Sequence, residues 1–205
     1  MSGKCWICKP TIRQRENILM VDVTASALHT LGLPRVYQLG VIVRDMRQAI
    51  AYYSRFMGIR PWYRGNVGEQ ETWFRGKKVN MDVDMVFAYS GKLMIELIEV
   101  KGGDDNIYSE HLAARGEGLH HLGFEVSDYD AKMKKVEAMG IPVIQHGVVI
   151  SKGGAISKMA YLDTASSLGY PIELMETRLF GMALGKGRLL MNIGCLLGDA
   201  SKIRV

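Results

Sequence analysis

The stretch that decides the fold is Tyr37-Gln-Leu-Gly-Val-Ile-Val-Arg-Asp45, because it returns without a gap as His120-His-Leu-Gly-Phe-Glu-Val-Ser-Asp128, 83 residues later. Self-similarity of this kind is read before anything else, since a missed repeat miscasts the whole fold. Each copy runs into a helical pattern closed by a glycine and an isoleucine, Gly58-Ile59 and Gly140-Ile141. Each later returns to a hydrophobic strand with a central carboxylate, Met94-Ile-Glu-Leu-Ile-Glu99 and Pro171-Ile-Glu-Leu-Met-Glu176. Two modules of one design are therefore expected, at 35–100 and 117–176, with a linker at 101–116 and extensions at 1–34 and 177–205.

Working outward, each module reads as strand, helix, then three strands, an α+β arrangement. Residues 36–44 alternate and are rich in β-branched side chains, which argues strand. Asp45 stands in N-cap position with Gln48 three residues on, and Met46, Ile50, Tyr53 and Met57 recur at helical spacing before Gly58. In the second copy Asp128 caps, Tyr129, Met133, Val136 and Met139 form the stripe, and Gly140 ends it. Residues 79–89 and 92–100 suggest a hairpin around Ser90-Gly91, mirrored by 156–163 and 169–176, while 60–78 reads as a strand plus a loop rich in Arg and Trp. A single helix covers one face of each small sheet. Pairing the modules so that the sheets share a concave face covers the other and creates a pocket.

The 205 residues are 48% hydrophobic and 23% charged, ordinary globular composition that excludes overall disorder. The net charge of +5 sits in the ends: residues 1–34 carry four basic and two acidic residues, 177–205 five and one, and 35–176 seventeen and eighteen. A core of −1 with no basic, aromatic-interleaved face excludes nucleic acid as its partner. No apolar run approaches a membrane span and the first twenty residues lack a signal-type apolar core, so a cytoplasmic protein away from membranes is expected. Three cysteines make no disulfide framework, and Cys5-Trp-Ile-Cys8 lacks the second pair of a zinc site, which leaves it an incidental pair. Residues 11–28 suggest a short helix, whereas glycines at 181, 185, 187, 194 and 198 argue against one in the C-terminal extension.

Strand parity then sorts the polar residues. Strict alternation puts His120, Leu122, Phe124 and Val126 on the helix-packing face and turns His121 away from it. In the first copy it turns Gln38 the same way as His121. Glu96 and Glu173 stand inside apolar strands, where a carboxylate is costly unless it is paired or bound to a metal. Gln38, Glu96, His121 and Glu173 together offer one amide oxygen, one imidazole and two carboxylates. That set can hold a divalent cation with no net charge and leave positions for water or substrate oxygens. Strand-internal glutamates paired with arginine, and a satisfied core histidine, are the plainer alternative.

These motifs, with Gly116-Glu-Gly-Leu-His-His-Leu-Gly-Phe-Glu-Val-Ser-Asp128 and Gly169-Tyr-Pro-Ile-Glu-Leu174, resemble the vicinal oxygen chelate superfamily, and within it methylmalonyl-CoA epimerase-like and glyoxalase I-like proteins. The resemblance covers 35–176 and implies tandem βαβββ modules, a divalent metal ion (Zn, Ni, Co, Mn or Fe), a small-molecule substrate with a carbonyl or vicinal oxygens, and a homodimer. Position by position, the glyoxalase I order Gln, Glu, His, Glu is matched by Gln38, Glu96, His121 and Glu173. The glutathione-binding positions are not matched, since they fall on Ile42, Val100 and Glu117. The second catalytic glutamate of the epimerases falls on Asn80, with Asp82 and Asp84 nearby.

The expected chemistry is proton transfer next to a carbonyl through a metal-stabilised enolate, with Glu173 as first choice of base and Glu96 as second, in an isomerase, epimerase or lyase. Arg64, Arg75, Lys77, Arg115 and Lys158 are candidates to hold an anionic group, and Trp62, Trp73, Tyr89 and Tyr161 to line a pocket. Two alternatives stay open: a non-haem iron dioxygenase on the same fold, and a metal-free small-molecule binding or resistance protein.

Overall fold

A computed structural model describes residues 29–185 and 187–204. The helix expected over 11–28 and the Cys5–Cys8 pair lie outside the described residues. The first repeat forms β1 (Gln38–Val43), α1 (Met46–Met57), β2 (Trp62–Gly65), β3 (Val67–Phe74), β4 (Lys77–Val79), β5 (Met81–Ser90) and β6 (Leu93–Gly103). The connection between the repeats carries α2 (Ile107–Arg115). The second repeat forms β7 (Gly118–Glu125), α3 (Tyr129–Ala138), β8 (Val143–Ser151), β9 (Ile156–Leu162), α4 (Ala165–Leu168) and β10 (Ile172–Leu179). The C-terminal extension adds β11 (Met182–Ala183), α5 (Arg188–Leu197) and β12 (Ala200–Ile203).

The strands of the two repeats run β2-β5-β6-β1 and β7-β10-β9-β8, joined where β1 pairs antiparallel with β7. In each, the opening strand lies parallel to the closing one, β1 to β6 and β7 to β10. The result is one curled sheet of two like halves, the tandem βαβββ arrangement that the repeat implied.

Each helix buries its stripe on the convex face of its own half. Met46, Ala49 and Ile50 of α1 pack with Val43, Trp62, Val86, Ala88, Ile95 and Leu97. Tyr129 and Val136 of α3 pack with Phe124, Val126, Leu162, Ile172, Leu174 and the incoming Leu31. Each fully buried large apolar side chain contributes about 1.5–3 kcal/mol. The +3 glutamates of the closing strands serve the helix starts: Glu99 accepts from Met46 N at 3.2 Å, and buried Glu176 from Tyr129 N at 3.5 Å. An acceptor there meets an otherwise unpaired first-turn N–H and the positive end of the helix dipole.

Two segments depart from expectation. The region 60–78 leaves β2 in the first half and crosses as β3 to the far edge of the second half, where it pairs antiparallel with β8. The C-terminal extension, in which the glycines argued against a helix, forms α5 with Gly194 inside it. Tertiary anchors outweigh the glycine penalty of roughly 1 kcal/mol. Tyr63 Oη donates to Asn192 Oδ1 at 2.9 Å, and β12 pairs with β2 over four residue pairs.

Candidate functional site

The site lies where the two halves meet on the concave face. Gly40 stands opposite His121 and Gly123 opposite Gln38 in the β1–β7 pair. Glu96 is beside Gly40 on β6, and Glu173 beside Gly123 on β10. The two glycines are what let the side chains in. A Cβ at Gly40 would fall inside the His121 imidazole, and one at Gly123 would lie 2.8 Å from Gln38 Cβ. Each half thus empties a hole into which the other half's ligand-type side chain fits.

All four expected residues converge and all four are buried. Gln38 Nε2 donates to Glu96 Oε2 at 2.7 Å and lies 3.1 Å from His121 Nε2 and 3.3 Å from Glu173 Oε2. His121 Nε2 is 3.2 Å from Glu173 Oε2 and 3.5 Å from Glu96 Oε2. Two carboxylate oxygens and an imidazole nitrogen crowd this NH₂ group, which has two hydrogens. Gln38 Oε1 meanwhile is buried without a hydrogen-bond partner. Turning the amide over would bring that oxygen against the Glu96 and Glu173 carboxylate oxygens, an arrangement that a cation between them favours. Among the described residues no set of His, Cys, Asp and Glu is already spread around a common point as metal ligands. The quartet is instead contracted onto the amide, and its donor types fit a divalent cation in the amide's place.

Electrostatics point the same way. Burial pushes the His121 imidazole down, but Glu173 and Glu96 outweigh it and its pKa ends above the ordinary value. The pocket favours positive charge. Its neighbour His120 is held down to about 2, by burial first and then by His121 and His111. Neutral His120 donates a hydrogen bond to the Ile107 backbone carbonyl and meets His121 Nδ1 through its own Nδ1 at 2.9 Å. His121 is therefore the donor in that contact, with Nε2 facing the carboxylates. Fixing the second ring nitrogen in this way orients a ligand-type histidine.

His120 corrects the alternation argument, which put it on the helix-packing face. The register slips between Gly40 and Val41, whose partners are His121 and Leu119, so His120 is the extra residue of a β-bulge. A bulge breaks the period of two, and His120 joins His121, Tyr108 and Tyr161 on the concave side. Tyr108 of α2 was not singled out from sequence either. Its hydroxyl lies 2.7 Å from that of Tyr161, and burial drives both phenols well above their ordinary pKa. The polar-x-Gly spacing shared by Gln38–Gly40 and His121–Gly123 was the available signal for the glycine holes.

The other candidates scatter. Arg64 is held by Asp84, Arg75 by Glu110 and Lys158 by Asp130, while Arg115 donates to Gly169 O at 2.6 Å and Lys77 is exposed. Trp62 is in the first half's core and Trp73 stacks on His146. Tyr89 packs with Tyr63 and Met94, and only Tyr161 of the four aromatics reaches the quartet, edge-on to His121 at 5.2 Å. A chamber of about 360 Å³ opens above Glu96, Glu173, Tyr108 and Tyr161.

The family model of the glyoxalase/bleomycin resistance protein/dioxygenase superfamily matches residues 37–161. The chain belongs to this superfamily. Solved structures of similar fold include a methylmalonyl-CoA epimerase of Streptomyces coelicolor in complex with 2-nitronate-propionyl-CoA, 22% identical, covering 70% of this chain and 96% of that one at a TM-score of 0.51. The methylmalonyl-CoA epimerase of Mycobacterium tuberculosis is 18% identical, covering 70% of this chain and 87% of that one, also at 0.51. No curated protein matches the chain. Within the superfamily fold the quartet occupies the seam between modules of a single chain. No helix among the described residues is long and apolar enough to cross a membrane.

Proposed function

We propose that Gln38, Glu96, His121 and Glu173 hold a divalent cation, and that the protein is an isomerase, epimerase or lyase acting by proton transfer next to a carbonyl. The observation that carries this reading is the orphaned, buried Gln38 Oε1 beside two converging carboxylates and the His121 imidazole. When bound, the cation would supply Lewis-acid polarisation of the substrate carbonyl. Glu173 is the base of choice. Its Oε2 is held by contacts of 3.2 and 3.3 Å, whereas Glu96 Oε2 is fastened at 2.7 Å, so Glu173 is the freer carboxylate to take a proton and return it. Tyr108 and Tyr161 stay neutral and keep hydroxyl donors at the chamber wall. Apolar side chains of the wall, among them Met85, Met94 and Met159, lower the local dielectric around these polar contacts.

The test is elemental analysis together with hydrogen exchange. His121→Ala should abolish stoichiometric divalent metal while leaving the fold intact. Glu173→Gln should slow metal-dependent exchange of a carbonyl compound's α-hydrogen in heavy water by about 10²- to 10⁴-fold, because an amide cannot accept the proton. Full metal retention in His121→Ala would sink the quartet, and oxygen consumption during turnover would give the site to the dioxygenase reading.

A further inference from the structure

The part of the chain beyond the repeats is built into the chamber. Leu184, Met191 and Leu197 of the C-terminal extension line the space that has Glu96 and Glu173 at its floor. The extension is tied to both halves. Asn66 Nδ2 donates to Gly198 O at 2.7 Å, and Asn66 N to Asp199 O at 2.8 Å. Asp199 in turn accepts from Gly153 N at the β8–β9 turn, where a Cβ on Gly153 would collide with the carboxylate. The segment thus straps the end of the first half's sheet to the second half and roofs the cavity.

The lining has two properties that bear on what fits beneath that roof. Its walls carry Met81, Met85, Met94, Met159 and Met175, with Met191 above. Unbranched thioethers adapt to flexible apolar groups better than branched side chains do. The charge is one-sided: among the described lining residues Arg64 stands against Asp84, Glu96, Glu173 and Asp199, and Arg64 is already bidentate to Asp84. A chamber with this excess of carboxylates repels a carboxylate, sulfonate or phosphate group, even after a divalent cation offsets part of it. Hydroxyl and amide groups of the wall have protein partners, Ser157 with Thr177 at 2.9 Å and Gln145 Oε1 with Ile107 N at 3.1 Å.

We infer that the ligand is an uncharged carbonyl compound with a flexible apolar chain, held whole beneath the C-terminal roof with its carbonyl toward Glu96 and Glu173, and that an anionic coenzyme A thioester is excluded. This rests on the proton-transfer reading for the orientation of the carbonyl, and on the chamber alone for the class of ligand.

The experiment is titration calorimetry of the full chain with 2-nonanone and, separately, with propionyl-coenzyme A, followed by deuterium exchange on the same mixtures. Saturable binding of the ketone is expected, with none of the thioester. Met191→Trp in the roof and Met85→Trp in the wall should each weaken ketone binding tenfold or more by filling the space, and Met57→Trp on the exposed face of α1 should leave it unchanged. Thioester binding as tight as that of the ketone, or ketone binding indifferent to both filling substitutions, would overturn the inference. A ketone that binds as expected but never exchanges its α-hydrogens with any divalent metal supports the ligand class and removes the proton-transfer reading. Exchange on propionyl-coenzyme A with no ketone binding does the reverse.

Discussion

The two halves of the molecule share a plan and differ in how they finish it. Both place a polar-x-Gly strand beside a closing strand with an inward glutamate, and both use a +3 glutamate to accept from the first turn of a helix. These shared features all lie close to the seam, where each half's side chains depend on the other's backbone. Away from the seam the halves diverge. The first sends β3 and β4 across to the second, and the second carries Leu31 against its helix. The caps differ too: Asp45 accepts from Gln48 N at 2.9 Å, whereas Asp128 makes no side-chain cap bond. Duplicated structure is kept at the β1–β7 seam and changes away from it.

The sharpest way to break this comparison is at the glycine holes. Gly40→Ala drives a methyl into the His121 ring, flanked by strands that cannot give, and should cost about 3 kcal/mol of stability and all divalent metal binding. Gly123→Ala meets Gln38 Cβ at 2.8 Å and Glu173 Oε2 at 3.3 Å, and should cost less and retain weakened metal binding. Chemical denaturation with elemental analysis reads both. Equal effects would mean that the halves share the strain evenly.

Next in size are the helix-start glutamates. Glu176→Ala removes a carboxylate only 3% exposed, leaving Arg178 to the Gly181 and Ser127 carbonyls and Tyr129 N–H unmet, and should cost about 2 kcal/mol. Glu99→Ala should cost about 1 kcal/mol, since Glu99 is less buried and Lys101 is free to turn to water. Urea midpoints at constant m-value make the check.

The smallest difference is at the caps. Asp45→Ala should cost about 1 kcal/mol, the usual worth of an N-cap bond. Asp128→Ala should change stability by a few tenths at most, because the carboxylate is half exposed and offers only a 3.5 Å ion pair to Lys132. A thermal scan showing the two equal would mean that Asp128 caps its helix in solution.

Much of the fold was legible because the repeat was long, ungapped and carried its own periodicities. The quartet was legible because carboxylates between Ile and Leu on a strand demand an explanation. His120 was not, because a bulge reverses alternation without leaving a mark in composition. It shows only in the two-against-one pairing with β1. The crossing strand was hidden because Val67–Glu71 is exposed throughout and lacks an alternating pattern. The roof was hidden because α5 relies on Tyr63, Asn66 and β2, residues more than a hundred positions away, rather than on its own propensities. Its contribution to the chamber accordingly could not be read from the tail alone.

The crossing of Val67–Phe74 turns two copies into one indivisible object. A gene cut within 101–116 would give a first fragment whose third strand keeps only the short β4 beside it, and a second whose sheet ends in an open edge at β8. Open edges invite pairing with whatever strand is nearest. Neither half can therefore be exchanged for a foreign module without a matching crossover, so the ancestral repeat has become a lock that ties the later history of each copy to that of the other.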